Sequence, residues 1–164
     1  MSATIVVILD EPEWTQRALH LAAALAREWR AAVTLVKLLP VAHLEYLGAG
    51  VDETLLPYKE ICHLEACTAT VESYGVSTDV RLFQYSDFVG GVLSAAELFN
   101  AAAVFAPAPV GRLPGLARLR VWWLRRGLGV PLYTLGGDDA PLVLALPAAA
   151  DANAAGSQPS PALR

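Results

Sequence analysis

An apolar run from Thr4 to Leu9 ends on Asp10 and passes through Glu11-Pro12-Glu13-Trp14 into a long stretch rich in Ala, Leu and Arg. A strand that hands a carboxylate directly to a helix opens an open α/β sheet, where ligands gather beyond the carboxyl ends of the strands. The same alternation recurs along the chain. Val33 to Leu39, Thr78 to Phe83, Ala101 to Ala106 and Val130 to Leu135 read as further strands. Helical periods separate them, so the pattern predicts a parallel sheet with helical crossovers.

Pro12 suits the first turn of the first helix, and Trp14, Ala18, Leu21, Leu25 and Trp29 recur on one helical face up to about Arg30. Pro40 stops the second strand. A second helix starts at Asp52 or Pro57 and runs to Ser73, and Gly75 supplies the residue that ends it. In the third strand Val80 and Leu82 alternate with Asp79 and Arg81, the pattern of a sheet edge. Ser86 or Asp87 caps a short helix through Phe99, and the last helix runs from about Pro114 to Arg126. One domain covers 1–137. An extension over 138–164 holds one more apolar run, Leu142 to Leu146, placed either on its own sheet edge or on a partner's sheet, and then an Ala/Ser/Pro/Gly tail expected to be disordered.

With 55% hydrophobic and 17% charged residues among 164, the chain suits a sheet buried on both faces and a subunit interface. No apolar run reaches the roughly 18 to 20 residues of a membrane span, and Met1-Ser2-Ala3 lacks the basic start of a secretory signal. The expected location is the cytoplasm, with no membrane partner. Cys62 and Cys67 are the only cysteines, and their spacing points them in different directions around a helix, so they read as thiols in a reducing compartment. A metal site from Cys62, His63 and Cys67 lacks a second ligand cluster.

The order and spacing of several segments resemble the universal stress protein family. They are Leu9-Asp10-Glu11-Pro12 with Arg17-Ala18-Leu19, Ala31 to Leu35, Tyr74-Gly75-Val76-Ser77-Thr78, Ala101 to Phe105, and Gly129-Val130-Pro131-Leu132-Tyr133. The resemblance covers Ala3 to about Leu135. It implies an open, Rossmann-like parallel five-stranded sheet in the order 3-2-1-4-5 with helices on both faces, and a homodimer paired through the fifth strand. It further implies a role in stress response.

Members that bind ATP carry a motif after the fourth strand: Gly, two residues, Gly, nine residues, then Gly followed by Ser or Thr. Here Pro107 and Val110 occupy the first two glycine positions, and Arg120-Val121 the last pair. Glycine lets backbone N–H groups close around phosphate, whereas proline removes a donor and fixes φ. Gly111 and Gly115 do not restore the spacing, so no cofactor is expected. The alternative is ATP held at Asp10, where the family's carboxylate faces adenosine, with the Leu38 or Leu39 backbone at the base edge and Gly111 and Arg112 in a non-standard phosphate loop. Asp10 also has a structural reading, as a cap for the backbone N–H groups near Glu13.

No nucleophile with a base and no pair of carboxylates in a cleft is visible, so the chain does not read as an enzyme. His20, His43 and His63 are isolated from one another by sequence context. Charge is uneven: 1–97 carries −7, 98–137 carries +5 with five arginines and no acid, and the remainder carries −2. Trp122-Trp123 beside Arg118, Arg120, Arg125 and Arg126 has the residue types of a single-strand nucleic-acid surface. Adjacent helical residues diverge by about 100°, however, so the expected arrangement is one tryptophan in the core and the other over an interface or the arginine stems, with no nucleic-acid partner. The functional expectation is a stress-response protein acting by small-ligand sensing or by association with a protein partner, without turnover.

Overall fold

A computed structural model describes residues 3–40, 56–107, 114–135 and 143–145, with backbone alone for 114–118 and 143–145. Strand β1 is Thr4–Leu9, α1 Pro12–Trp29, β2 Ala32–Pro40, α2 Tyr58–Glu72, β3 Thr78–Tyr85, α3 Phe88–Leu98, β4 Ala101–Phe105, α4 Pro114–Gly127, β5 Leu132–Thr134 and β6 Val143–Ala145. The strands form one sheet in the order β3-β2-β1-β4-β5-β6. The first five are mutually parallel, giving the order 3-2-1-4-5, and β6 runs antiparallel on the outer edge of β5.

The period-two alternation of β1 divides the core. Ile5, Val7 and Leu9 face α1 and α2, joined by Val33, Leu35, Ala103 and Phe105. Val6 and Ile8 face the opposite layer with Val36, Val104, Val92 of α3 and Leu124 of α4. The central strands β1 and β4 thus pack a helical layer on either side, which is why Ile5 to Leu9 and Ala101 to Phe105 are apolar without interruption.

The face that α1 buries differs from the expected one. Trp14 and Ala18 are buried, but so are Thr15, Leu19, Ala22, Ala23 and Ala26, while Leu21 and Trp29 are more than two-fifths exposed. The larger residues alone suggest a stripe centred on Leu21 and Leu25. The helix instead presents its alanines to the sheet, because small side chains permit the closest approach to a flat layer of branched residues. Arg30 then closes the helix in the left-handed region at φ 52°, its N–H turned back to the carbonyls of the last turn. Gly75 follows α2 at φ 73°, a conformation that costs glycine nothing.

Strand β3 lies at the sheet edge, with Asp79 and Arg81 exposed and paired to each other at 2.7 Å. It continues to Tyr85, past the expected end at Phe83. The Asp87 carboxylate caps α3 by accepting the Gly90 N–H at 2.8 Å. Strand β5 is shorter than the sequence suggests, because Val130 and Pro131 lead into it before pairing with β4 begins at Leu132.

Candidate functional site

Chain direction across the sheet reverses between β1 and β4, since β2 and β3 lie on one side of β1 and β4 and β5 on the other. Ligands of open α/β sheets bind at such a switch point, outside the carboxyl ends of the strands. At this rim stand Asp10 after β1, the last residues of β2, and Ala106-Pro107 after β4.

Asp10 is exposed. Its carboxylate does not cap α1: the N-cap is Glu11, and no side chain makes a cap hydrogen bond there. The turn is closed from the other direction, by the Asp10 N–H donating to Oγ1 of Thr15 at 3.1 Å. Thr15 is fully buried. The structural reading of Asp10 is therefore corrected. A buried hydroxyl fixes the backbone, and the turn leaves the carboxylate of exposed Asp10 unused.

Register brings Leu38 to the same rim. Pairing of β1 with β2 ends at Leu9 opposite Lys37, whereas pairing of β2 with β3 continues through Pro40 opposite Tyr85. Leu38 and Leu39 thus extend past the last paired residue of β1 at this rim. The Leu38 side chain itself is core, packed with Phe83 in the α3/α4 layer.

On the far side of the rim, β4 ends and Ala106 donates its N–H to the Tyr133 carbonyl at 3.1 Å. Pro107 follows, buried and without an N–H. Gly111 and Arg112 lie outside the described residues, as does His43. Trp14 closes the rim beneath β4: its indole N–H donates to the Leu135 carbonyl at 3.3 Å, tying the start of α1 to the end of β5. Sequence reasoning placed Trp14 on a buried face but had no signal for this bond, nor for Thr15.

Cavities lie elsewhere among the described residues. One of about 350 Å³ sits between α2 and β3, lined by Ile61, Leu64, Thr68, Val80 and Leu82 among others. Another of about 310 Å³ lies where β3 turns into α3, around Tyr85, Ser86, Asp87 and Gly91. Neither is lined by Asp10, Leu38 or Pro107.

The thiols are free, with Cys67 buried and Cys62 half-buried. Cys67 Sγ lies 3.7 Å from Nε2 of His63, one turn away on α2. Burial pushes the Cys67 thiol above its ordinary pKa, and Lys37 opposes the shift only in part. Among the described residues no three of His, Cys, Asp and Glu converge as metal ligands. His20 is committed to a 2.8 Å contact with the Tyr74 hydroxyl. No described helix is long and apolar enough to cross a membrane.

No family model and no curated protein matches the chain by sequence. The fold has many structural counterparts. A universal stress protein from Archaeoglobus fulgidus superposes with a TM-score of 0.61 at 20% identity, over 83% of this chain and 95% of the other. A universal stress protein from the same organism in complex with dAMP gives 0.59 at 18% identity, over 83% and 98%. A universal stress protein in complex with cAMP gives 0.60 at 13% identity, over 82% and 96%. The chain has the universal stress protein fold.

Proposed function

We propose that this chain is a universal stress protein of the kind that lacks the glycine-rich phosphate loop, acting in stress response by sensing a small ligand or by associating with another protein, without turnover, in the cytoplasm. The observation that carries the reading is Pro107. The residue that leaves β4 at the switch point offers no N–H to an anion, and its ring fixes φ where the motif's first glycine would turn freely. A triphosphate at this rim is left without the backbone donors that such a site needs.

A second reading has its own support. Exposed Asp10 stands at the rim just after β1, β2 extends past β1 through Leu38 and Leu39, and two structural counterparts hold adenine nucleotides, cAMP and dAMP. In this reading adenosine is held at Asp10 and the β2 overhang, and arginine replaces the missing loop. Titration calorimetry with ATP, ADP and AMP in magnesium buffer, repeated on Asp10→Ala, separates the two. The first reading expects no heat from any nucleotide. Micromolar binding that is lost in Asp10→Ala establishes the second.

The same proposal includes a homodimer formed at the last-strand end of the sheet. Because β6 occupies the outer edge of β5, pairing between copies runs through the free edge of β6. Truncation after Gly137 is expected to weaken the dimer in analytical ultracentrifugation; an unchanged sedimentation profile refutes pairing through β6.

A further inference from the structure

Helix α4 carries an outward face that the fold does not use. Among its described side chains, over 119–127, Leu124 is the buried one, with Val121 half-buried beside it. Opposite them, Leu119, Trp122, Trp123 and Arg126 follow the i, i+3, i+4, i+7 spacing of one helical stripe. Leu119, Trp122 and Trp123 are 48%, 49% and 54% exposed. The expectation that one tryptophan enters the core is therefore overturned. Leu124 takes the inward position, so residues 122 and 123, about 100° apart, straddle the outward ridge together.

The two indoles meet edge-to-face with centroids 5.3 Å apart, and the Arg126 guanidinium lies 5.4 Å from the Trp122 ring centroid. Arg120 and Arg125 are exposed on the two shoulders of the ridge. Among the described residues none of these three arginines forms an ion pair, and residues 98–137 contain no acid. Adjoining large apolar side chains left in water mark an interaction surface.

Against the expectation of no membrane partner, we propose that the outward ridge of α4 docks on an anionic lipid surface without any helix spanning it. The chemistry fits in three respects. Indoles favour the boundary where one end of the ring is apolar and the other wet. Arginines on both shoulders of an aromatic ridge reach headgroup phosphates on either side while the ridge enters the acyl boundary. The exposed residues lie along one helix, and a fluid interface conforms to such a ridge without a preformed groove. A second copy is disfavoured as the occupant, since two-fold pairing of the ridge sets Arg120, Arg125 and Arg126 against their own copies with no carboxylate between them. The rest of the chain, outside the +5 stretch 98–137, carries −9, so a negative plane repels it and favours this face.

Co-sedimentation of the full chain with vesicles of equal phosphatidylglycerol and phosphatidylcholine, against phosphatidylcholine alone, tests the proposal. Binding is expected to the anionic vesicles, weakened by salt and accompanied by a blue shift of tryptophan emission. Arg120→Gln/Arg125→Gln is expected to weaken it roughly thirtyfold, about fivefold for each arginine. Trp122→Ser/Trp123→Ser is expected to abolish both the binding and the blue shift. Both variants alter exposed positions, and unchanged thermal melts show that they fold. No binding to anionic vesicles, equal binding to both vesicle types, or double variants that bind as the parent does would each overturn the proposal. A vesicle-free dimer that Trp122→Ser/Trp123→Ser converts to monomer, with no vesicle binding by the parent, assigns the ridge to a second copy instead.

Discussion

Replacing Trp14 by Phe tests whether the indole tie at the rim of the sheet is structural. Trp14 is 8% exposed, and its N–H is the group that reaches the Leu135 carbonyl at the end of β5. Phe keeps the aromatic contact with the α1/α2 layer but removes the donor. The acceptor left behind in a buried setting costs about 1–3 kcal/mol, at the lower end for a carbonyl whose second lone pair has other options. The missing pyrrole portion leaves a void of roughly 40 Å³, which at about 24 cal/mol per Å³ adds about 1 kcal/mol. The expected loss is about 2–3 kcal/mol, a large part of the roughly 5–15 kcal/mol that holds a domain of this size. Urea denaturation followed by far-UV circular dichroism measures it, with Trp29→Phe as the control. Trp29 is 41% exposed and should change stability by less than about 0.5 kcal/mol. A Trp14→Phe loss below about 0.5 kcal/mol with an unchanged denaturant slope would show that the bond contributes nothing and that β5 is held by its neighbours β4 and β6 without it.

Cys62 should react with a thiol reagent in the native state at neutral pH, while buried Cys67 should react only as the protein unfolds; equal native rates would contradict the packing of α2. The Cys67 thiol is raised by burial, so the folded state holds its proton more tightly than the unfolded chain does. That contribution is fully present below the unfolded pKa of about 8.5 and is lost as pH rises through the folded one, so stability should fall above about pH 9 and the fall should shrink in Cys67→Ala. Gly91→Ala would place a Cβ 2.8 Å from the Tyr85 Cβ, an atom fixed to the edge-strand backbone. The expected cost is about 1–3 kcal/mol, measured by thermal melting, and a neutral result would mean that α3 shifts freely on β3.

The order of elements and the sheet topology were legible because β1 and β4 are apolar on both faces and every helix is bounded at one end or both by Pro, Gly or Asp: Pro12, Gly75 and Asp87 each do the work their residue type implies. What was not legible depended on tertiary choice. The exposed Leu21 and Trp29 follow from α1 preferring an alanine face against the sheet, which size alone does not reveal. Of the candidate site, the position of Asp10 was readable from the strand-to-helix junction, but its role in the turn was not. The bond from the Asp10 N–H to Thr15 replaces a carboxylate cap with a hydroxyl five residues on, and sequence spacing does not distinguish the two. Leu38 was readable as a backbone position only; the extension of β2 past β1 arises from its register against β1 and β3.

The two ends of the sheet also bear on where association is possible. An edge strand exposes unpaired backbone groups and is protected by charge or by shortness. At β3 the protection is charge: Asp79 and Arg81 project from the edge as a pair, and an incoming strand would have to be accommodated beside both. At the other end it is shortness, since β5 and β6 each span three residues. Two copies of β6 side by side would therefore exchange only a few hydrogen bonds, each worth about 0.5–1.5 kcal/mol net, far too little to offset the roughly 4–15 kcal/mol lost on association. A homodimer built at this end must draw most of its stability from side chains flanking the strand. If truncation after Gly137 weakens the dimer by more than those few bonds allow, the extension contributes packing as well as backbone pairing.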